Sequence, residues 1–332
     1  MFSLNLSKIS GCLLIIFCIL LLKFSFADEH IHWIGAIQNQ SDLKEESNLK
    51  DKVFDFLFGE SEIKLIRPTS LSYQDENNLF ILDRDICSPV LIDQKSASFN
   101  LIQSQDKNSY PSLVSICSGN DGMLYFTDSY LNKIFVLNPD SKNIKELNSA
   151  LQPDKSTGIA FNPVTGLIYV AETGKHRILA LSIDGQIIKT IGKRGTEKGE
   201  FNFPNYLWID KNGRLYIVDS MNFRIQIFSS DDEFITMFGE AGNSSGYIAR
   251  PKGIATDSQG NIYVVDALFH AVQIFNSKGD YLYSFGKKGK GQAEFWLPSG
   301  IFIDNKDKIY VADSYNSRIQ IFQYTSGIMD DN

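Results

Sequence analysis

One short phrase of apolar and aromatic residues that ends in an acid recurs six times along the 332-residue chain. Successive acids are 44 to 47 residues apart, and they are Asp83, Asp128, Glu172, Asp219, Asp266 and Asp313. A fixed period of about 40–50 residues is typical of the four-stranded blade of a β-propeller. The repeat therefore predicts an all-β fold: a six-bladed β-propeller of four-stranded antiparallel blades over residues 67–326.

Each repeat divides into four short strands, a to d, rich in the Ile, Val, Tyr and Phe that β-strands favour. Strand a follows Ser156 in blade 3 and, in the other blades, one of the prolines Pro68, Pro111, Pro204, Pro251 and Pro298. Strand b ends at the repeated acid, strand c has the form of Arg224–Phe228, and strand d ends in an apolar residue followed by glycine. Runs of turn-forming residues between a and b indicate tight reversals.

The sixth blade lacks its fourth strand, because the chain ends at Asn332, before the position where strand d would finish. An open ring would expose a sheet edge, so we expect a strand from the N-terminal region, residues 28–66, to close it. The segments 31–35 and 54–59 both end in the apolar-Gly pair. Apolar residues recur at helical spacing in the second, which predicts a helix over 48–58 and leaves 31–37 as the closing strand. Residues 327–332 form a short tail.

The strings PKGIATDSQGNIYVVD at 251–266 and DSYNSRIQIF at 313–322 resemble NHL repeats. The resemblance covers roughly residues 67–322, clear in blades 3 to 6 and degenerate in blades 1 and 2, where DRDICS at 83–88 lacks the usual Asn-x-Arg. It implies a six-bladed propeller. It also implies a binding role, since NHL propellers mostly bind proteins and sometimes RNA, while a minority of related rings are enzymes.

Residues 1–27 differ in character from the repeats. Lys8 precedes a 12-residue apolar run from Gly11 to Leu22, and a small-x-small pattern ends at Ala27. This arrangement predicts a secretory signal peptide, and the run is short of the about 20 residues that span a bilayer. The alternative is an uncleaved N-terminal membrane anchor. Either way, we expect an exported protein: periplasmic, secreted or on the cell surface.

Charge and cysteine content narrow the range of partners. The formal net charge is −7, and removal of residues 1–27 would make it −9. An acidic exported protein is a poor general ligand for nucleic acid, so none is expected as a partner, and membrane contact is expected only through an uncleaved N-terminus. Cys87 and Cys117 would remain after cleavage. Their repeat positions lie on opposite rims, too far apart for a disulfide, which predicts two free thiols.

The acids and histidines of the repeat are interpreted as structural. Arginines five residues after Glu172, Asp219 and Asp313 recur from blade to blade, as expected for ion pairs that build the blades. His176 and His270 share one loop position two blades apart, so they cannot join in a zinc site. The acids Asp210, Asp257 and Asp304 are explained by turn formation on the opposite rim.

The residue after each strand-a proline should face the mouth of the channel, a ring made of Thr69, Ser112, Thr157, Asn205, Lys252 and Ser299. Calcium prefers six to eight oxygen ligands with carboxylates among them, and this ring contains no carboxylate. We therefore expect no metal, no cofactor and no catalytic residue. The alternative is a metal-dependent hydrolase or lyase that works in the channel.

The linkers between strands d and a add a basic stretch of rim in blades 3 to 6, with Lys193, Arg194, Lys288 and Lys290. Loops on a rigid scaffold commonly carry recognition, whereas the simpler interpretation is that these lysines only keep the linkers soluble. Together with the channel ring they are the candidate ligand-binding residues. The sequence thus predicts a monomeric, non-catalytic binding or scaffold module for a protein partner, or for an anionic glycan, held on this rim.

Overall fold

Six four-stranded antiparallel sheets surround a central channel in the computed structural model, which describes residues 31–43, 63–103 and 110–324. Strand a of each blade contacts strand a of the next, and blade 6 contacts blade 1, so the ring is closed. The predicted six-bladed propeller is confirmed. Within the described ranges the other regular elements are short 3-10 turns at Gln40–Leu43, Thr173–Lys175, Ser220–Asn222 and Ser314–Asn316. The signal segment 1–27, the predicted helix 48–58 and the tail 327–332 lie outside the described residues.

The strands are numbered along the chain and fall into four concentric positions. Strand a, next to the channel, is β2 (Pro68–Tyr73), β6 (Leu113–Ser118), β10 (Ser156–Phe161), β14 (Pro204–Ile209), β18 (Pro251–Thr256) and β22 (Ile301–Ile303) in blades 1 to 6. Strand b is β3 (Asn78–Asp83), β7 (Leu124–Asp128), β11 (Ile168–Glu172), β15 (Leu215–Asp219), β19 (Ile262–Asp266) and β23 (Lys308–Asp313).

Strand c is β4 (Ser88–Asp93), β8 (Lys133–Asn138), β12 (Arg177–Leu181), β16 (Arg224–Phe228), β20 (Ala271–Phe275) and β24 (Arg318–Tyr324). The outer strand d of blades 1 to 5 is β5 (Ser98–Leu101), β9 (Asn143–Glu146), β13 (Ile187–Ile191), β17 (Phe234–Phe238) and β21 (Tyr281–Phe285).

The N-terminal strand β1 (Ile31–Ile37) supplies the missing outer strand of blade 6. It pairs antiparallel with β24, with Ile31 opposite Tyr324 and Ile37 opposite Ile319. The Trp33 indole also donates a 3.0 Å hydrogen bond to the Gln320 side chain. The predicted closing strand is confirmed, and the two ends of the propeller are held together by main-chain hydrogen bonds that would otherwise be unsatisfied at a sheet edge.

The core consists of apolar clusters between neighbouring blades, one at each of the six interfaces. Strand b is buried along its whole length in blades 2 to 5, because both faces of the blade pack against neighbours. This explains why the repeated phrase is a continuous apolar run rather than an alternating one. The acid at the end of the phrase is the one charged residue of this buried run, and it binds the loops of the rim.

Neighbouring strands a approach one another closely at the channel. A Cβ on Gly253 would lie 2.7 Å from the Ile301 nitrogen, and one on Gly158 would lie 2.8 Å from the Tyr206 Cα. Cβ atoms do not approach backbone so closely, so glycine is required where the innermost strands crowd together. Cys117 lies within strand β6, not in the turn after it as predicted, while Cys87 lies in a rim loop; both are free thiols, as expected.

Candidate binding site at the channel mouth

The buried acid at the end of strand b joins two loops on one rim. Asp83 accepts hydrogen bonds from the backbone N–H groups of Ile66 and Arg67 in the d–a linker, and of Asp85 and Ile86 in the b–c loop. The equivalent acids of the other five blades also accept backbone N–H groups from the residues just before strand a. The b–c loops and the starts of strand a are thereby fixed around the same end of the channel.

The predicted acid–arginine pairs are confirmed as parts of the blades. Arg224 donates from Nε to Asp219 at 2.8 Å and from its terminal nitrogens to the backbone oxygens of Thr196, Glu197 and Glu200 at 2.6 to 2.9 Å. Arg318 repeats this pattern with Asp313, and Arg177 pairs with Glu172. The Nε of each arginine is engaged by the acid of its own blade, and Arg224 and Arg318 also bind linker carbonyls, so the pairs serve the construction of the blades.

The two loop histidines are structural as well. Nδ1 of His176 accepts the backbone N–H of Phe203 at 3.1 Å, and Nδ1 of His270 accepts that of Leu297 at 3.0 Å. Burial, together with a nearby cation, lowers the pKa of both imidazoles, which favours the neutral form that can accept a hydrogen bond. Each histidine therefore holds the end of the following linker.

A cavity of about 370 Å³ opens at this rim, where the six starts of strand a converge. All six predicted ring residues line it: Thr69, Ser112, Thr157, Asn205, Lys252 and Ser299. The assignment in blade 2 was wrong in register, however. In blade 1, Pro68 pairs with Asp83, and in blade 2 the residue that pairs with the equivalent acid, Asp128, is Leu113. The ring position in blade 2 is therefore Val114, and Ser112 lies two residues before it. Two additional residues before the acid caused the shift.

Four cations of this cavity were missed by the sequence analysis: Arg67, Arg84, Lys155 and Arg250. Three of them precede the first residue of strand a, and Arg84 directly follows the acid of strand b. With Lys252, the cavity has five cationic side chains and no carboxylate among its lining residues, on a chain whose net charge is −7. Aligning the six repeats at the residue before strand a would have shown three of these four cations at one position, on the same rim as the ring.

The cations are largely without counter-ions. Of the five mouth cations, only Arg67 has a carboxylate within 4 Å among the described residues, that of Asp85 at 3.3 Å. Burial, helped by the charges of Arg250 and Arg84, lowers the pKa of Lys252 to about 8. Clustered like charges raise the local potential, and an anion in the cavity would relieve their repulsion. The arrangement therefore favours an anionic ligand.

Tyr206 forms the floor of the cavity. It follows the ring position in blade 4, where other blades have serine or glycine, and the residue is 8% exposed. Its hydroxyl lies 3.5 Å from the backbone oxygen of Thr69 in blade 1, on the opposite side of the channel. Tyr206 also lines another cavity, which lies deeper in the channel among the strands a. Tyr206 thus lies between the cationic mouth and the channel interior.

The predicted basic residues of the linkers lie outside this pocket. Lys193, Arg194, Lys288 and Lys290 are exposed and none lines the cavity. Lys193 pairs with Glu200 at 3.3 Å, and the Lys290 ammonium lies 5.4 Å from the ring centre of Trp296. The linker cations and the mouth cations are therefore two separate sets on the same rim.

On the opposite rim, the cavity at the a–b turns is lined by carboxylates as well as cations. Asp210, Asp257 and Asp304 each accept backbone N–H groups of their own a–b turns and a tyrosine hydroxyl from strand b, which confirms their structural role. Across the described residues, no three His, Cys, Asp or Glu side chains are grouped so as to hold a metal ion. No helix in the described ranges is long and apolar enough to cross a membrane.

Similar solved structures share the propeller fold. An auxiliary nutrient binding protein from Bacteroides thetaiotaomicron is 16% identical with a TM-score of 0.64, over 79% of this chain and 70% of that chain. Virginiamycin B lyase from Staphylococcus aureus is 17% identical with a TM-score of 0.58, over 80% and 99%. A gluconolactonase from Xanthomonas campestris is 11% identical with a TM-score of 0.60, over 88% and 98%. At such identities the likeness concerns the fold alone.

Family models are more specific than these structures. No curated protein sequence matches the chain significantly. Residues 247–329 match a family described as a 6-bladed β-propeller, and residues 93–282, more than half of the chain, match the model described as the teneurin NHL domain. The repeated acid phrase, the acid–arginine pairs and the six closed blades are thus those of a known kind of repeat, and the chain belongs to the NHL-domain family of β-propellers.

Proposed function

We propose that this chain is an exported, monomeric, non-catalytic binding module that holds an anionic group of its partner in the cationic channel mouth. The observation that carries the proposal is the cavity with five cations and no lining carboxylate. On a protein of net charge −7, four of these five cations have no carboxylate within 4 Å among the described residues, which favours an anionic ligand. Its partner would be a protein or an anionic glycan.

Several further features support this function. The apolar run and cleavage pattern of residues 1–27 support export. Solved propellers of similar fold include proteins named as auxiliary nutrient binding proteins, which is consistent with a binding role. Propeller lyases and lactonases also share the fold, so metal analysis of the purified protein is needed: stoichiometric zinc or calcium would contradict the proposal.

The site is tested with two polyanions, polyglutamate and heparin, and with neutral dextran as the control ligand. The mouth variant carries Arg84→Met, Arg250→Met and Lys252→Met. The matched linker variant removes the same number of charges through Lys193→Met, Arg194→Met and Lys288→Met. If each partly exposed ion pair contributes roughly 0.5 kcal/mol, the mouth variant should bind at least one polyanion about tenfold more weakly.

We expect the linker variant to bind the polyanions as tightly as the unmodified protein does. Dextran should bind to none of the three proteins. Equal binding by the mouth variant and the unmodified protein would refute the site. Loss of binding in the linker variant alone would instead place the ligand on the linker residues, and absence of any binding to either polyanion would refute the proposed function.

A further inference from the structure

Exposed apolar side chains surround the cationic mouth. The second residue after the strand-b acid lies at the tip of each b–c loop, and in four blades it is a large apolar or aromatic residue. These four form the apolar crown: Tyr130, Met221, Leu268 and Tyr315, with exposed fractions of 75%, 53%, 58% and 46%. Phe203 and Trp296, in the linkers of the same rim, are also more than one third exposed.

The fold does not require apolar side chains at these tips. Asp85 and Gly174 occupy the same position in blades 1 and 3, where the loop makes the same turn between strands b and c. The backbone N–H of Tyr130 donates to Asp128, as that of Asp85 donates to Asp83, so the hydrogen bond that fixes the loop comes from the main chain. The apolar side chains of the crown are therefore available for another role.

Apolar groups and cations are directly adjacent on this rim. The Arg67 guanidinium lies 4.9 Å from the ring centre of Tyr315, and the rings of Tyr315 and Trp296 are 6.0 Å apart. Tyr315 also lines the cavity itself. Exposed apolar side chains beside cations are typical of a surface that binds a partner.

We propose that the partner is a protein segment with an acidic side chain flanked by apolar ones: the carboxylate enters the cationic mouth and the apolar side chains pack on the crown. This rests on the proposed function, and it specifies the partner's chemistry. A polysaccharide polyanion would satisfy the cations but leave most of the crown exposed, whereas an acidic, apolar peptide satisfies both. Aromatic residues, methionine and arginine are enriched in protein–protein interfaces, and the crown and the mouth supply all three.

The test compares poly(Glu,Tyr), a random copolymer, with polyglutamate of equal length, and includes heparin and oligouridine as competing polyanions. The crown variant carries Tyr130→Ser, Met221→Ser and Leu268→Ser, crown residues that do not line the cavity. A control variant, Ile188→Ser with Leu282→Ser, removes exposed apolar residues from the outer strands β13 and β21, where their exposed fractions are 60% and 44%. Circular dichroism checks that each variant is folded.

We expect poly(Glu,Tyr) to bind about tenfold more tightly than polyglutamate, and the crown variant, but not the control variant, to lose that gain while its affinity for polyglutamate is unchanged. Equal affinity for the two polymers would overturn this inference and leave the anionic site intact. Tighter binding of heparin or oligouridine than of poly(Glu,Tyr) would overturn it in favour of a glycan or RNA. Failure of every polyanion to bind would overturn both the inference and the proposed function.

Discussion

Arg224 makes the most consequential of the rim networks. Its side chain is 9% exposed, it pairs with a fully buried Asp219, and it donates to three linker carbonyls. Replacing it with methionine keeps the length and the apolar packing of the stem but removes every one of these donors. Asp219 would then be a buried carboxylate without its cation.

The expected loss follows from what remains around the carboxylate. Removing one partner of a buried ion pair costs about 3–5 kcal/mol, because the other charge stays buried. Asp219 keeps the donors from the backbone of Asn202 and the side chains of Asn222 and Gln226, which stabilise the charge in part. We therefore expect Arg224→Met to lower the free energy of unfolding by about 3 kcal/mol, at the low end of that range.

Urea denaturation followed by circular dichroism measures this loss, with a change of midpoint at constant slope taken as a change in stability. The matched control is Arg214→Met, because Arg214 pairs with Asp210 at the same 2.8 Å but its side chain is 38% exposed. An exposed pair contributes at most about 1 kcal/mol. If Arg224→Met lowers the free energy of unfolding no more than Arg214→Met does, burial does not strengthen the rim pairs. The assignment of Arg224 to blade construction would then be wrong.

Three further predictions concern the mouth, the channel wall and the ring closure. Since the pKa of Lys252 is lowered to about 8 in the folded protein and lies near 10.4 in the unfolded chain, the unfolded state binds more protons between these values. Stability measured by urea titration should thus rise as pH increases from 8 to 10, an increase that Lys252→Met should remove, and polyglutamate binding should weaken over the same range. Gly253→Ala should lower the melting temperature, because the new Cβ would meet backbone at 2.7 Å; Gly35→Ala, with open space around it, should not. Ile37→Ala in the closing strand, where the side chain is 3% exposed, should cost about 2–4 kcal/mol, whereas Ile34→Ala on the exposed face of the same strand should change stability by less than about 0.5 kcal/mol. Equal effects within either pair of variants would contradict the packing on which these predictions depend.

The propeller itself could be predicted from sequence, because each blade is built from contacts within about one repeat and its periodicity is visible in the letters. The same counting showed that blade 6 lacked one strand, and the helical spacing of residues 48–58 left Ile31–Ile37 as the closing strand. The acid–arginine pairs could be predicted for the same reason: the partners are five residues apart and recur.

The site depended on tertiary structure. The spacing from Pro111 to Asp128 shows two extra residues in blade 2, but only strand pairing shows where they lie, and it moves the ring position from Ser112 to Val114. The mouth cations come from four loops and strand β18 in blades 1, 3 and 5. The sequence shows that three of them directly precede a strand a, but only closure of the ring brings all five to one cavity. Local periodicity is determined by hydrogen bonds and apolar packing between near neighbours, and it therefore appears in the sequence. The charge of the mouth arises from residues far apart in the chain that share a place only once the ring has closed.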